Sequence, residues 1–161
     1  MKKKLQKTKS ERGQSLVELA LSLLILLMML AAAVDFGMAL YSYVTIRDAA
    51  QEGALYASID PTNVAEITSR IQSSASSPID MATELEETGE GVTVIVITGG
   101  SEIAAGSATA SQACEGNGAV VRVEVRYRYK LVMPLLPDML GQTEIPLTAD
   151  VTNAILQPHC P

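Results

Sequence analysis

The sequence predicts an α+β protein: one long N-terminal helix, with a transmembrane half and an amphipathic half, packed on a small antiparallel sheet of about three strands. Three observations carry this expectation. From Leu19 to Val34 every residue but Ser22 is apolar, with no Pro or Gly. Apolar and small residues then recur at three- and four-residue steps past Asp35, the helical period. The C-terminal half instead alternates apolar and charged residues, the period of two that a strand with one buried face requires.

The first element is the helix. Counted from Gln14, it reaches Val34 after about 31 Å at the α-helical rise, close to a hydrocarbon core of roughly 30 Å. Beyond Asp35 the stripe Phe36, Leu40, Tyr43, Ile46, Ala50, Gly53 or Ala54, and Ala57 continues on one face. The small residues Ala49, Ala50, Gly53, Ala54 and Ala57 permit close approach of another backbone. That backbone belongs to the chain's own sheet, to another subunit, or to both. The helix should end near Ser58, ahead of Asp60-Pro61, which reads as an N-cap followed by Pro at the first position of a short second helix through Val64, Ile67 and Ile71. Residues 73–78 read as a linker, and Met81 to Glu87 as a further acidic helical turn.

The strands come next. Val92 to Thr98 is β-branched throughout and bounded by glycines, and Ser101 to Gly118, rich in Gly, Ala and Ser, reads as a long loop. Val121, Val123, Val125, Tyr127, Tyr129 and Leu131 then alternate with Arg122, Glu124, Arg126, Arg128 and Lys130. One face of that strand is buried, and the charged face reads as solvated rather than as an anion-binding ladder. Ile145 to Val151 alternates more weakly, and Pro146 assigns it to a sheet edge.

Charge is distributed as unevenly as hydropathy. The 161-residue chain has a net charge of −6, yet residues 1–13 alone carry about +5, leaving an acidic body. A basic tip ahead of an apolar run is the positive-inside pattern. It divides the chain into a basic cytoplasmic leader (1–13), a transmembrane helix (14–35), its amphipathic continuation (36–58) and an extracytoplasmic α+β domain (59–161). Basic residues concentrated before a membrane segment, with no aromatic interleaving among the later cations, argue against a nucleic-acid partner. The two cysteines, Cys114 and Cys160, in a domain placed outside the cytoplasm, favour a disulfide between them over two free thiols. The long loop that bridge would close is worth about 4 kcal/mol in the chain-entropy description.

Nothing points to catalysis. The single histidine, His159, lies in a tail without a paired base, and there is no phosphate loop, metal-ligand spacing or nucleophile elbow. No cofactor, metal or small-molecule substrate is expected.

The segment that carries chemistry is Arg12-Gly13-Gln14-Ser15-Leu16-Val17-Glu18. A cut between Gly13 and Gln14 falls before the apolar run, so it removes the basic leader and keeps the helix. A protease needs the chain extended at that point, and Gly offers no side chain to clash. Glu18 is costly so near the hydrocarbon, and an ionisable residue there is a functional candidate. It suits neutralising the new amine of Gln14 on a neighbouring subunit, a group whose reference pKa is about 8; a carboxylate resting unpartnered at the headgroup boundary is the alternative.

Arg12 to Leu21, then Val34-Asp35-Phe36-Gly37, then Ala49 to Ala54, together resemble the TadE/TadG-like family of the tight-adherence (Tad, Flp) pilus system. The resemblance covers about the first third of the chain, with a looser likeness in the later strands. It implies a minor pilin, or pseudopilin, processed by a membrane-embedded aspartic prepilin peptidase. Such a protein works with other pilins and the pilus assembly platform in the cytoplasmic membrane. The family's cleavage glycine corresponds to Gly13 and its glutamate to Glu18. Major Flp pilins are much shorter and follow that glutamate with Tyr where this chain has Leu19, so a main filament subunit is not implied. Two other readings remain. Cleavage after Ala33, within Ala31-Ala32-Ala33, releases a secreted soluble domain; an unprocessed single-pass accessory subunit keeps the whole chain.

Overall fold

A computed structural model describes residues 11–75, 79, 91–108, 112–113, 118–133 and 136–156. The expected cysteine pair, Cys114 and Cys160, residues 76–78 of the linker, the acidic turn from Met81 to Glu87 and the tail holding His159 lie outside the described residues.

Helix α1 runs unbroken from Glu11 to Ile59, 49 residues or about 73 Å at the helical rise. Leu, Ala and Met dominate it, all strong helix formers without β-branching. It stops where Pro61 disfavours the helical conformation for the residue before it, and the Asp60 amide closes the last turn on the Tyr56 carbonyl at 3.1 Å. Helix α2 spans Val64–Ser74. Its cap is Asn63, whose side chain accepts from the Glu66 amide at 3.3 Å, rather than the expected Asp60. The Asn63 side chain thereby satisfies one first-turn amide directly, while Asp60 Oδ1 accepts from the Thr62 hydroxyl at 3.2 Å and Pro61 is buried in the connecting turn.

The sheet has four antiparallel strands, one more than expected. They are β1 (Val92–Thr98), β2 (Ser101–Ala104), β3 (Val120–Lys130) and β4 (Glu144–Ala154), in the order β2-β1-β3-β4. The additional strand, β2, pairs Ser101 with Thr98 across Gly99-Gly100. Both glycines have positive φ (56° and 82°), the backbone that a two-residue hairpin needs to match strand twist. The segment read as loop therefore starts with a strand and a short 3₁₀ turn at Ala105–Ser107. Strand β4 is an edge strand, as Pro146 demands: it faces Arg128 in the register with β3 and has no amide to donate.

Val121, Val123 and Val125 of β3, Val94 and Val96 of β1, and Ala149 of β4 form one side of the core; Ile67 and Ile71 of α2 and the small residues of α1 form the other. The outward face of β3 is charged and internally paired. Arg122 meets Glu102 at 3.0 Å, Arg126 meets Glu124 at 2.7 Å, and Arg128 lies 3.9 Å from Glu144. The ladder is thus spent on neighbouring carboxylates, in keeping with a solvated face.

The inward face of α1 differs from the expected stripe over its first two turns beyond Asp35. Asp35, Ser42, Ile46, Ala49, Ala50, Ala54 and Ala57 are buried, whereas Phe36, Leu40 and Tyr43 are exposed. The sheet lies close to the helix axis, so it selects the small and polar side of the helix and turns the bulky apolar side outward. The small residues consequently serve the chain's own fold. A Cβ at Gly53 would stand 2.5 Å from Ile71 Cδ1 and Cγ1, so glycine is what lets α2 approach α1.

Candidate functional site

The apolar half of α1 ends at a buried carboxylate. Asp35 is 3% exposed, and it accepts three hydrogen bonds from the far end of β3. The Tyr129 hydroxyl donates to Oδ1 at 3.4 Å and the Val132 amide to the same oxygen at 3.3 Å. The Met133 amide donates to Oδ2 at 3.1 Å. These amides have left the β ladder, since Leu131 makes the last cross-strand bond, to Thr143 at 3.0 Å. Asp35 therefore satisfies backbone groups that would otherwise be orphaned where β3 turns away.

Tyr129 is buried beside that carboxylate. Desolvation first, then the charge of Asp35 and its hydrogen bond, push the Tyr129 hydroxyl above its ordinary value of 10.0. It stays a neutral donor, which the geometry needs.

A second tie lies at the opposite end of the body. The Leu156 amide donates to the Ser58 carbonyl at 2.7 Å, and the Ile155 amide to that of Ala119 at 3.1 Å. Asp35 and Ser58 are separated along α1 by about 35 Å of helical rise, and the 11 residues of β3 extend about 37 Å. The sheet is thus laid lengthwise along the second half of α1 and fastened at both ends.

Gly13, Gln14 and Glu18 share one face of the first turns of α1, together with Val17 and Leu21. Gly13 is already helical and a Cβ there would meet nothing within 4 Å. Glu18 is exposed on the apolar half, away from the sheet. The structure does not bring these residues together with Asp35, which is the residue missed as a contact site. Its signal was legible: an ionisable side chain ending a long apolar run calls for a partner. Among the described residues no cluster of three metal-ligating side chains occurs.

Among the described residues one helix is long and apolar enough to cross a membrane, and none of its most apolar stretch is buried; it continues into an α+β body, and its length and composition suit a membrane anchor. Residues 13–55 match the family described as TadE-like protein. The match covers 43 of the chain's 161 residues, a local similarity consistent with a TadE/TadG-like protein of Tad pilus systems. No curated protein and no solved structure matches the chain.

Proposed function

We propose that the chain is a membrane-anchored minor pilin, or pseudopilin, that takes part in assembling a Tad pilus. The observation that carries the reading is the TadE-like match beginning at Gly13 and running to residue 55, through the apolar run and into the body without a break in the helix. In this reading the N-terminus is cytoplasmic and the α+β body lies outside the cytoplasmic membrane. A prepilin peptidase cuts between Gly13 and Gln14, and Glu18 meets the new amine of a neighbouring subunit as helices pack in a bundle. Other pilins and the assembly platform are the partners.

One observation favours the unprocessed accessory reading. Glu11, Arg12 and Gly13 are already helical, so the first turn must unwind before a protease can hold the site extended. Cleavage after Ala33 is poorly supported, because Ala31 to Ala33 lie inside the same helix and the cut would leave Asp35 at a frayed end. Intact mass and N-terminal sequencing of the membrane-extracted protein separate the three. A mature chain beginning at Gln14 fits the pseudopilin; an intact leader or a start at Val34 defeats it.

A further inference from the structure

We infer that the tip of the β3–β4 hairpin, through its described residues 131–133 and 136–143, is seated in the outer interface of the same bilayer that holds α1, so that the body rests on the membrane. The inference builds on the reading of α1 as a membrane span and adds a second lipid contact to it.

Spacing comes first. Glu18 and Asp35 are the two ionisable residues bounding the apolar run, and the seventeen helical steps from one to the other rise about 25 Å. A hydrocarbon core of roughly 30 Å is thicker than that, so one of the two must lie beneath the hydrocarbon boundary. Glu18 follows Arg12 by only six positions, and a basic residue held at the headgroups keeps it at its boundary. Asp35 is enclosed by three donors, so it is the one that tolerates immersion. After Asp35 the next charge on α1 is Arg47, and Tyr41 and Tyr43 lie between, placed as interfacial aromatics are.

Whatever holds Asp35 is held at the same depth. The Val132 and Met133 amides bond directly to it, so the hairpin tip sits at the boundary. Its chemistry suits that position. Residues 131–140 include one charge, Asp138, and Val132 is 68% exposed and Leu140 55%, beside Phe36 of α1 at 70%. These three large side chains are left bare by the fold at the end of the body nearest the anchor. The opposite end, where the sheet terminates against Ser58, also carries bare Leu55, Ile59 and Leu156, so the bond to Asp35 and not exposure alone sets the depth of the tip.

The chain contains no tryptophan, which allows single-site probes in the full-length protein. Val132→Trp, Leu24→Trp and Leu156→Trp are each reconstituted in phosphatidylcholine vesicles containing lipids brominated at shallow or deep acyl positions. The expected result is strong quenching of V132W by shallow bromines, of L24W by deep ones, and none for L156W. Leu140→Trp repeats the tip measurement, and unchanged thermal unfolding of each variant certifies the fold. If L24W is quenched while V132W and L140W are not, the tip stands clear of lipid or is covered by a second copy, and the inference fails with the anchor intact. An unquenched L24W overturns the anchor and the inference together.

Discussion

Asp35 and Tyr129, 94 positions apart in the chain, meet at 3.4 Å in a buried contact. That contact joins the end of the apolar half of α1 to the end of β3, and two backbone amides complete it. A buried carboxylate with three donors is far harder to replace than a solvated one, because each donor it satisfies becomes a desolvated orphan when it is removed.

Asp35→Ala is therefore expected to destabilise the detergent-solubilised protein by about 2–3 kcal/mol, the cost of leaving a buried hydroxyl and two amides without an acceptor. Asp35→Asn retains one acceptor oxygen and should lose less. Thermal unfolding followed by circular dichroism measures both; equal stability of D35A and the unmodified chain would remove the contact's claim to importance.

Alkali should find Tyr129. Its folded value is raised above 10.0 by burial and by Asp35, so the unfolded chain releases this proton first as pH rises. The contribution is full below about pH 10, the reference tyrosine value, and is lost as pH climbs through the raised folded value. Between about pH 10 and that raised value, unfolding stability should fall more steeply in the unmodified chain than in Tyr129→Phe. The tyrosinate absorbance difference between the two should titrate late.

Gly53 and Ile71 are matched in shape. Gly53→Ala gains up to about 1 kcal/mol of helix propensity, but its Cβ meets the buried Ile71 side chain at 2.5 Å, and overpacking costs about 1–3 kcal/mol. Net destabilisation is expected. Ile71→Val costs about 1 kcal/mol alone and should cost less, or nothing, when combined with G53A. Denaturant unfolding of the four-member cycle reads that coupling, and strictly additive changes would contradict the close approach.

Glu18 is exposed and outside the body, so Glu18→Ala should leave the thermal transition of the sheet unchanged. Under the pseudopilin reading the same substitution lowers the protein's recovery in sheared pilus preparations, while its membrane level holds. Wild-type recovery with E18A would assign the carboxylate to the headgroup boundary alone.

Periodicity disclosed the helix, its approach to Ile59 and the alternating strands, because each depends on local spacing. It misassigned the facing side of α1 beyond Asp35, where hydrophobicity alone suggested Phe36, Leu40 and Tyr43. Which side faces inward depends on how near the sheet comes, a tertiary quantity that favoured Ser42 and the alanines. The strand β2 was missed because Ser101 to Ala104 has weak strand composition; Gly99-Gly100 held the stronger signal, a turn that dictates pairing whatever the composition of the next four residues. The capping residue was missed in the same way, since Asn63 competes with Asp60 for the cap and its side chain accepts from the Glu66 amide. The Asp35 contact spans most of the chain, so no window of sequence could contain both partners.

The unbroken passage of α1 from the apolar run into the body has a mechanical meaning. There is no swivel between them: no proline, glycine pair or loop interrupts residues 11–59, and the sheet is fastened to the second half near Asp35 and near Ser58. A turn of the apolar half about the helix axis therefore carries the whole sheet through the same angle. Tension drawn along the axis passes to the body through backbone hydrogen bonds in series. Helix α1 acts as a drive shaft, and the bearing of the sheet is set by the rotation of its apolar half.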